Sequence, residues 1–369
     1  MERIKINIAS PGRFHVLDLA RELDSLGFDV RFYSYVPDKR AIKFGLRKEC
    51  NRSLLIPMAP FLLLARLWPG SRHIATMVQD WLTGMLMRKC DVLVAMSGAY
   101  VYTLKRAKHN GATVILERGS KHILEQKRIL ESIPHPGNKK PVPDIDVKRE
   151  LAGYDLADYV SIPSQHVLRS FVERDYPKGK LFVDPYGVDL NDFRPEITTK
   201  NYDVITVGNW TYQKGADLLA KACRELNLKM LHIGAIGDVP FPKTPDFVHV
   251  DPVDQKQLKT YYNKGKIFAL ASRQEGMAMV QMQALSCGLP IVCSMHTGGR
   301  DIGEITGMTD WVFEMQKYNI EELKAQILKA LDFAKTCGAG KLKLENLSWK
   351  AYGKRYSIFL HDIVKKKIN

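Results

Sequence analysis

The chain has 369 residues, of which 45% are hydrophobic and 26% charged, a balance that excludes disorder; its length points to roughly two domains. Fifty-five basic against forty acidic side chains leave a net charge of +15, which favours anionic partners such as phosphates, acidic lipid headgroups or nucleic acid without choosing among them. Six scattered cysteines form no CxxC pair and no zinc-ligand spacing, and no hydrophobic leader follows Met1, so reduced thiols, no metal, no cofactor and a cytoplasmic location are expected.

Ile4 to Ala9 alternates apolar and polar residues, and Ser10-Pro11-Gly12 ends this strand before His15 to Leu26 takes up helical spacing. Lys39, Arg40, Lys43, Arg47, Lys48 and Arg52 then cluster ahead of the longest apolar stretch, Leu54 to Trp68. The cluster reads either as a solvated face or as a contact for nucleic acid or an anionic membrane surface. The apolar stretch is broken by Pro57, Pro60 and Arg66 and is shorter than the roughly 20 residues of a spanning helix, so it is not expected to cross a membrane.

Short apolar runs at Val30 to Tyr33, Val92 to Met96 and Val114 to Leu116 alternate with amphipathic stretches, the pattern of a parallel sheet flanked by helices. Prolines between Ile133 and Pro143 predict an exposed loop, and a helix resumes near Asp146. The DxD there, Asp144-Ile145-Asp146, is expected to cap that helix. After a strand at Tyr159 to Ile162 and an irregular stretch ending near Lys200, the rhythm restarts with a strand at Asp203 to Gly208 and a helix at Ala216 to Leu226. Further strands are expected at Lys229 to Ile233, Phe247 to Val250, Ile267 to Ala271 and Pro290 to Ser294, and Trp349 to Lys367 has helical spacing. The fold class is α/β, with two Rossmann-like, doubly wound domains spanning residues 1–190 and 191–348.

Ligands of such sheets bind in the loops after the strands. In Gly208-Asn209-Trp210-Thr211-Tyr212-Gln213-Lys214-Gly215 a pyrophosphate could sit on the helix start beside Lys214, or the lysine is solvated in a tight turn. In Arg273-Gln274-Glu275-Gly276 the following amides of Met277, Ala278 and Met279 would be free at a first helical turn, with Glu275 and Gln283 bracketing a sugar and a ribose. The lesser alternative makes Glu275 a helix-start charge and Gln283 a surface residue. Met295 to Asp301, with two glycines, fits close backbone approach or an ordinary turn. In the first half, Gly12, Arg13 and His15 form a weaker phosphate or acceptor candidate. Glu117 to His122 offers Arg118 for phosphate and Ser120 and His122 for a sugar, or is a solvated basic turn.

Together and in this order, these segments resemble the retaining glycosyltransferases of family 4, which have the GT-B fold. Val207-Gly208 with Lys214-Gly215 resembles the phosphate-binding VGR…KG segment, Glu275 to Gln283 the EX7E segment, and Ala284 to Val292 its AxACGxPVV continuation. Tyr186-Gly187-Val188-Asp189 and Ser348 to Tyr352 resemble further family segments, the second opening a helix that returns to the first domain. The resemblance implies a nucleoside-diphosphate sugar donor, a glycan or lipid-linked acceptor, metal-independent transfer with retention, and no nucleic-acid partner. It makes Lys214 a diphosphate ligand, Glu275 a sugar contact, His122 a neighbour of the reacting sugar, and Val253 the place of the nucleobase. Asn209 and Gln283 depart from the pattern, replacing an arginine and a glutamate, with Arg118, Arg273 or Arg300 as substitutes for the missing charge. A sugar-nucleotide 2-epimerase of the same fold and a catalytically silent polyanion or membrane binder are the alternatives.

Overall fold

The strands of the first half are apolar on both faces, and so they pair in parallel under helices on both sides. A computed structural model describes residues 3–133, 142–337 and 342–368; most of the predicted proline-rich loop, residues 134–141, lies outside them. The first sheet contains β1 (Lys5–Ala9), β2 (Asp29–Ser34), β3 (Asn51–Ser53), β4 (Val92–Met96), β5 (Thr113–Glu117), β6 (Tyr159–Ile162) and β7 (Leu181–Val183), in the order β3-β2-β1-β4-β5-β6-β7. Its period-two pattern fills two cores: Ile6, Ile8, Val92, Val94 and Ile115 point into one, and Leu93, Ala95, Val114 and Leu116 into the other.

The second sheet contains β8 (Tyr202–Val207), β9 (Met230–Ile233), β10 (Phe247–Val250), β11 (Gly265–Leu270), β12 (Ile291–Cys293) and β13 (Val312–Glu314), in the order β10-β9-β8-β11-β12-β13, all parallel. Each sheet reverses its direction of growth once, between β1 and β4 and between β8 and β11. The loops after β8 and β11 therefore flank the crevice where such sheets take ligands. The three-residue strands β3, β7 and β13 were not foreseen, because runs so short carry no periodicity. Asp144 and Asp146 lie inside the first turn of the helix Asp144–Leu156, whose N-cap is Pro143. They face the helix dipole from within the turn instead of capping it, and Asp144 also pairs with Lys127 at 2.7 Å.

The last helix, Trp349–Ile368, packs against the first domain's helix Phe14–Ser25. Phe359 stacks on Phe182 with 4.0 Å between ring centroids, Arg355 donates to Asp184 at 2.6 Å, and Tyr356 donates to Glu117 at 2.7 Å. The chain thus crosses between the sheets twice, and the two crossings lie side by side: Val188 pairs with Ser348, and the Val188 amide donates to the Leu347 carbonyl at 2.7 Å. Gly187 is held there by sterics, since a Cβ on it would come within 2.5 Å of the Trp349 Cα. Replacing Gly187 by Ala should lower stability by about 1–3 kcal/mol in urea unfolding, by forcing the crossings apart. An unchanged midpoint would show that the pairing yields without strain.

Candidate functional site between the domains

The loop after β8 begins at Gly208, whose φ of +132° belongs to glycine. The Gly208 carbonyl accepts a hydrogen bond from His232 Nε2 at 2.8 Å, which fixes it from below. Asn209 is exposed, and the loop ends at Gly215, the left-handed N-cap of the helix Ala216–Glu225. From this loop Lys214 forms an ion pair with Glu275, which stands in the loop after β11. Ser272 donates to the same carboxylate oxygen at 3.0 Å. The lysine and the glutamate are both partly exposed, so the pair is reachable from solvent.

The helix after Glu275 starts at Met279 and not at Met277. Gly276 to Ala278 stays outside the helix, with Ala278 extended, because the Glu275 amide donates to the His296 carbonyl (3.0 Å) and the Ala278 amide to the Thr297 carbonyl (3.2 Å). Tertiary hydrogen bonds to the loop after β12 thus outcompete the first helical turn. Of the three amides expected to be free, Ala278 is spent, and Met277 and Ala278 are buried. The Met279 amide, by contrast, makes no hydrogen bond among the described residues. The later start also shortens the helical part of the Glu275–Gln283 spacing to about 6 Å. Gln283 is buried, and its amide oxygen accepts from Tyr262 at 3.1 Å, so it is a core residue and not a surface one.

The first domain closes directly on this loop. A Cβ on Gly276 would lie 1.9 Å from the Gly119 carbonyl oxygen and 3.1 Å from the Ser120 Cα. Ser164 donates to the Gly276 carbonyl at 2.9 Å, His166 Nε2 lies 3.0 Å from the Glu275 carbonyl, and the Gln165 amide donates to Asp301 at 2.7 Å. Gln274 donates to Ser120, and Lys121 reaches His296 at 3.4 Å. Sequence reasoning missed the Ser164-Gln165-His166 clamp. These residues carry no motif, and the available signal was their position just past the carboxyl end of β6.

Several expected ligands are committed elsewhere. Arg118 is buried, pairs with Glu150 at 2.6 Å and donates to the Lys121 carbonyl, so it supports its own loop instead of a phosphate. Arg273 grips Asp217 through two bonds of 2.7 and 2.8 Å, and Arg300 pairs with Glu314 at 2.9 Å. All three are thus already paired, and of them only Arg118 is buried. His122 is the N-cap of the helix Ile123–Glu131, accepts from the Leu124 amide, and packs between Tyr154 and Phe171. It belongs to the first domain's core and not to a reacting sugar. His15 is likewise buried, 2.9 Å from Glu117 and stacked on Tyr186. Arg13 and Val253, from opposite domains, do come together: with Lys39, Arg40, Lys43, Phe44, Asp254 and Gln255 they line a cavity of about 610 Å³ beside Gly12, and Arg13 donates to Gln255 at 3.1 Å. No group of three or more His, Cys, Asp or Glu suited to a metal occurs among the described residues.

With this geometry in hand, residues 201–332 are found to match the family described as Glycosyl transferases group 1. The match covers most of the second domain and about a third of the chain. An uncharacterised glycosyltransferase of Methanocaldococcus jannaschii is 28% identical over 161 residues, which span 39% of this chain and 43% of that relative, less than half of its length. Sucrose-phosphate synthase of Thermosynechococcus elongatus superposes with a TM-score of 0.67 at 15% identity, covering 99% of this chain and 100% of the other. HepE of Anabaena, in complex with UDP and glucose, superposes with a TM-score of 0.65 at 12% identity, covering 97% and 100%. At these identities the likeness concerns the fold, and the fold is GT-B: two Rossmann-like domains across a cleft, with the family match lying in the second.

Gly276→Ala should hold the second domain away from Gly119 without unfolding either domain. Small-angle scattering should report a larger radius of gyration than wild type, and an identical curve would show that closure does not depend on this contact. Burial pushes His122, His166, His232 and His296 each down to about 4. Their neutral forms stabilise the fold fully above the ordinary imidazole value near 6.5, and that contribution is lost as pH falls toward 4. Burial also raises the carboxyls of Asp184, to about 8, Asp301, to about 6, and Asp18 and Glu314, which acts in the opposite direction, but the large shifts among these are confined to Asp184 and Asp301. The melting temperature should therefore fall between pH 7 and pH 5, and a flat or rising profile would contradict the four neutral rings.

Proposed function

We propose that the protein is a retaining glycosyltransferase that moves a sugar from a nucleoside diphosphate to a glycan, glycolipid or other lipid-linked acceptor. The observation that carries the reading is the Lys214–Glu275 pair, which joins the two switch-point loops of a group 1 domain directly under the closing first domain. A diphosphate arriving at the free Met279 amide competes with Glu275 for Lys214. The carboxylate is then released to accept hydrogen bonds from sugar hydroxyls. As the bond from the sugar to the diphosphate breaks, Lys214 and the amide offset the developing negative charge on the leaving group, with no metal in the proposed step. The Ser164–His166 clamp and the Gly119–Gly276 contact exclude water from that bond.

The proposed division has an acceptor-side domain of residues 1–190 carrying the returning helix 349–369, and a donor-side domain of residues 191–348. Val253 and Arg13 place the nucleobase in the cavity they share. The donor sugar is drawn from GDP-mannose or a UDP-sugar; the second choice gains weight from the UDP held by HepE. Six free cysteines fit a reducing, cytoplasmic setting, at an anionic membrane surface where the acceptor is presented.

Calorimetric titration with UDP, GDP, ADP and their sugar conjugates tests the reading. Lys214→Ala should weaken every diphosphate by roughly tenfold or more, whereas Glu275→Gln should lower affinity only for the sugar-bearing forms. Undiminished diphosphate binding by Lys214→Ala would remove the phosphate site from this loop.

A further inference from the structure

We infer that the helical hairpin formed by Leu55–Leu67 and Arg72–Leu86 is an interfacial docking surface for an anionic phospholipid membrane. The hairpin encloses a small core of its own, built on Leu54, Met58 and Ala75. Opposite that core, Ile56, Leu63 and Leu67 follow one another at helical spacing, with Ile56 87% and Leu67 60% exposed. The second helix exposes a matching stripe of Ile74, Met77, Trp81 and Met85, and Trp68 is 63% exposed at the turn between the helices. Two outward tryptophans beside aliphatic stripes suit the boundary between headgroups and acyl chains. The first helix has 13 residues, about 20 Å, and no described helix is long and apolar enough to span a bilayer, so the hairpin lies on the surface.

Charge selects the partner. Between Asn51 and Met87 the single carboxylate is Asp80, which is buried and turned inward to the amides of Val101, Tyr102 and Thr103. Arg52, Arg66 and Arg72 are exposed and form no ion pair among the described residues. Against a second copy of a chain with net charge +15 these arginines would face their own sign, whereas acidic headgroups complement them. At the hairpin's root, Leu55, Ile56 and Leu86 share a cavity of about 830 Å³ with Lys39, Arg52 and Asp38, whose carboxylate accepts from Asn51 at 2.7 Å, and Lys39 also lines the basic cavity between the domains. An anionic lipid seated at the hairpin thus has its headgroup directed toward the cleft. The inference rests on the transferase reading only for the purpose it assigns, delivery of a lipid-linked acceptor.

The test is co-sedimentation of the full chain with vesicles of phosphatidylcholine alone or mixed with phosphatidylglycerol, at low and high salt, with quenching of tryptophan fluorescence by brominated lipid. Wild type should bind the mixed vesicles, lose binding at high salt, and be quenched. Trp68→Glu with Trp81→Glu should weaken partitioning by roughly tenfold or more, and Arg66→Glu with Arg72→Glu should abolish the preference for phosphatidylglycerol, both with unchanged melting temperatures. Absent vesicle binding, full binding by the tryptophan variant, or a dimer in light scattering that this variant splits would overturn the proposal. Diphosphate titration of the same proteins separates the two readings: diphosphate affinity without vesicle binding sinks only this surface, and vesicle binding without diphosphate affinity sinks only the transferase.

Discussion

Where Gly276 meets Gly119, the two main chains approach more closely than a Cβ at position 276 would allow. Much of the interdomain arrangement depends on that clearance. It brings the Gly276 carbonyl under the Ser164 hydroxyl and the Glu275 carbonyl under His166, and it sets Lys121 against His296. Each of these bonds joins a loop after a strand of one sheet to a loop after a strand of the other. A side chain at Gly276 would therefore remove an entire set of contacts and not a single one.

The site combines two kinds of electrostatic group. Arg118 with Glu150 and Arg273 with Asp217 are pairs whose charges are already satisfied, and they shape the loops that carry them. Lys214 with Glu275 is a pair that remains open to solvent and spans two loops. Removing one member of the buried Arg118–Glu150 pair strands the other, so that pair resists change, whereas Arg273 with Asp217 is held by its two parallel hydrogen bonds. The third can exchange its partner at little cost, which a binding site requires.

The strands were legible because parallel strands covered on both faces are nearly continuous apolar runs, and Val92 to Met96 matches its observed span. The loops bearing Lys214 and Glu275 were legible because both close on glycine just past a strand. The helix start was not, since Met277-Ala278-Met279 has helical composition and the carbonyls of His296 and Thr297 keep Met277 and Ala278 out of the helix. Nor were the fates of the arginines: Glu150 lies 32 residues from Arg118, and Asp217 lies 56 from Arg273. Composition identified Leu54 to Trp68 as apolar, but which side it turns outward depends on the short core it shares with the next helix.

The paired crossings at Val188 and Ser348 bear on how such a molecule can move. Two strands of chain stitched edge to edge behave like a strip of ribbon: they flex readily across their flat side and resist sliding past one another. The aperture between the halves should accordingly swing about one axis, with little lateral drift. Each return would then bring the same atoms into register without a search over other orientations.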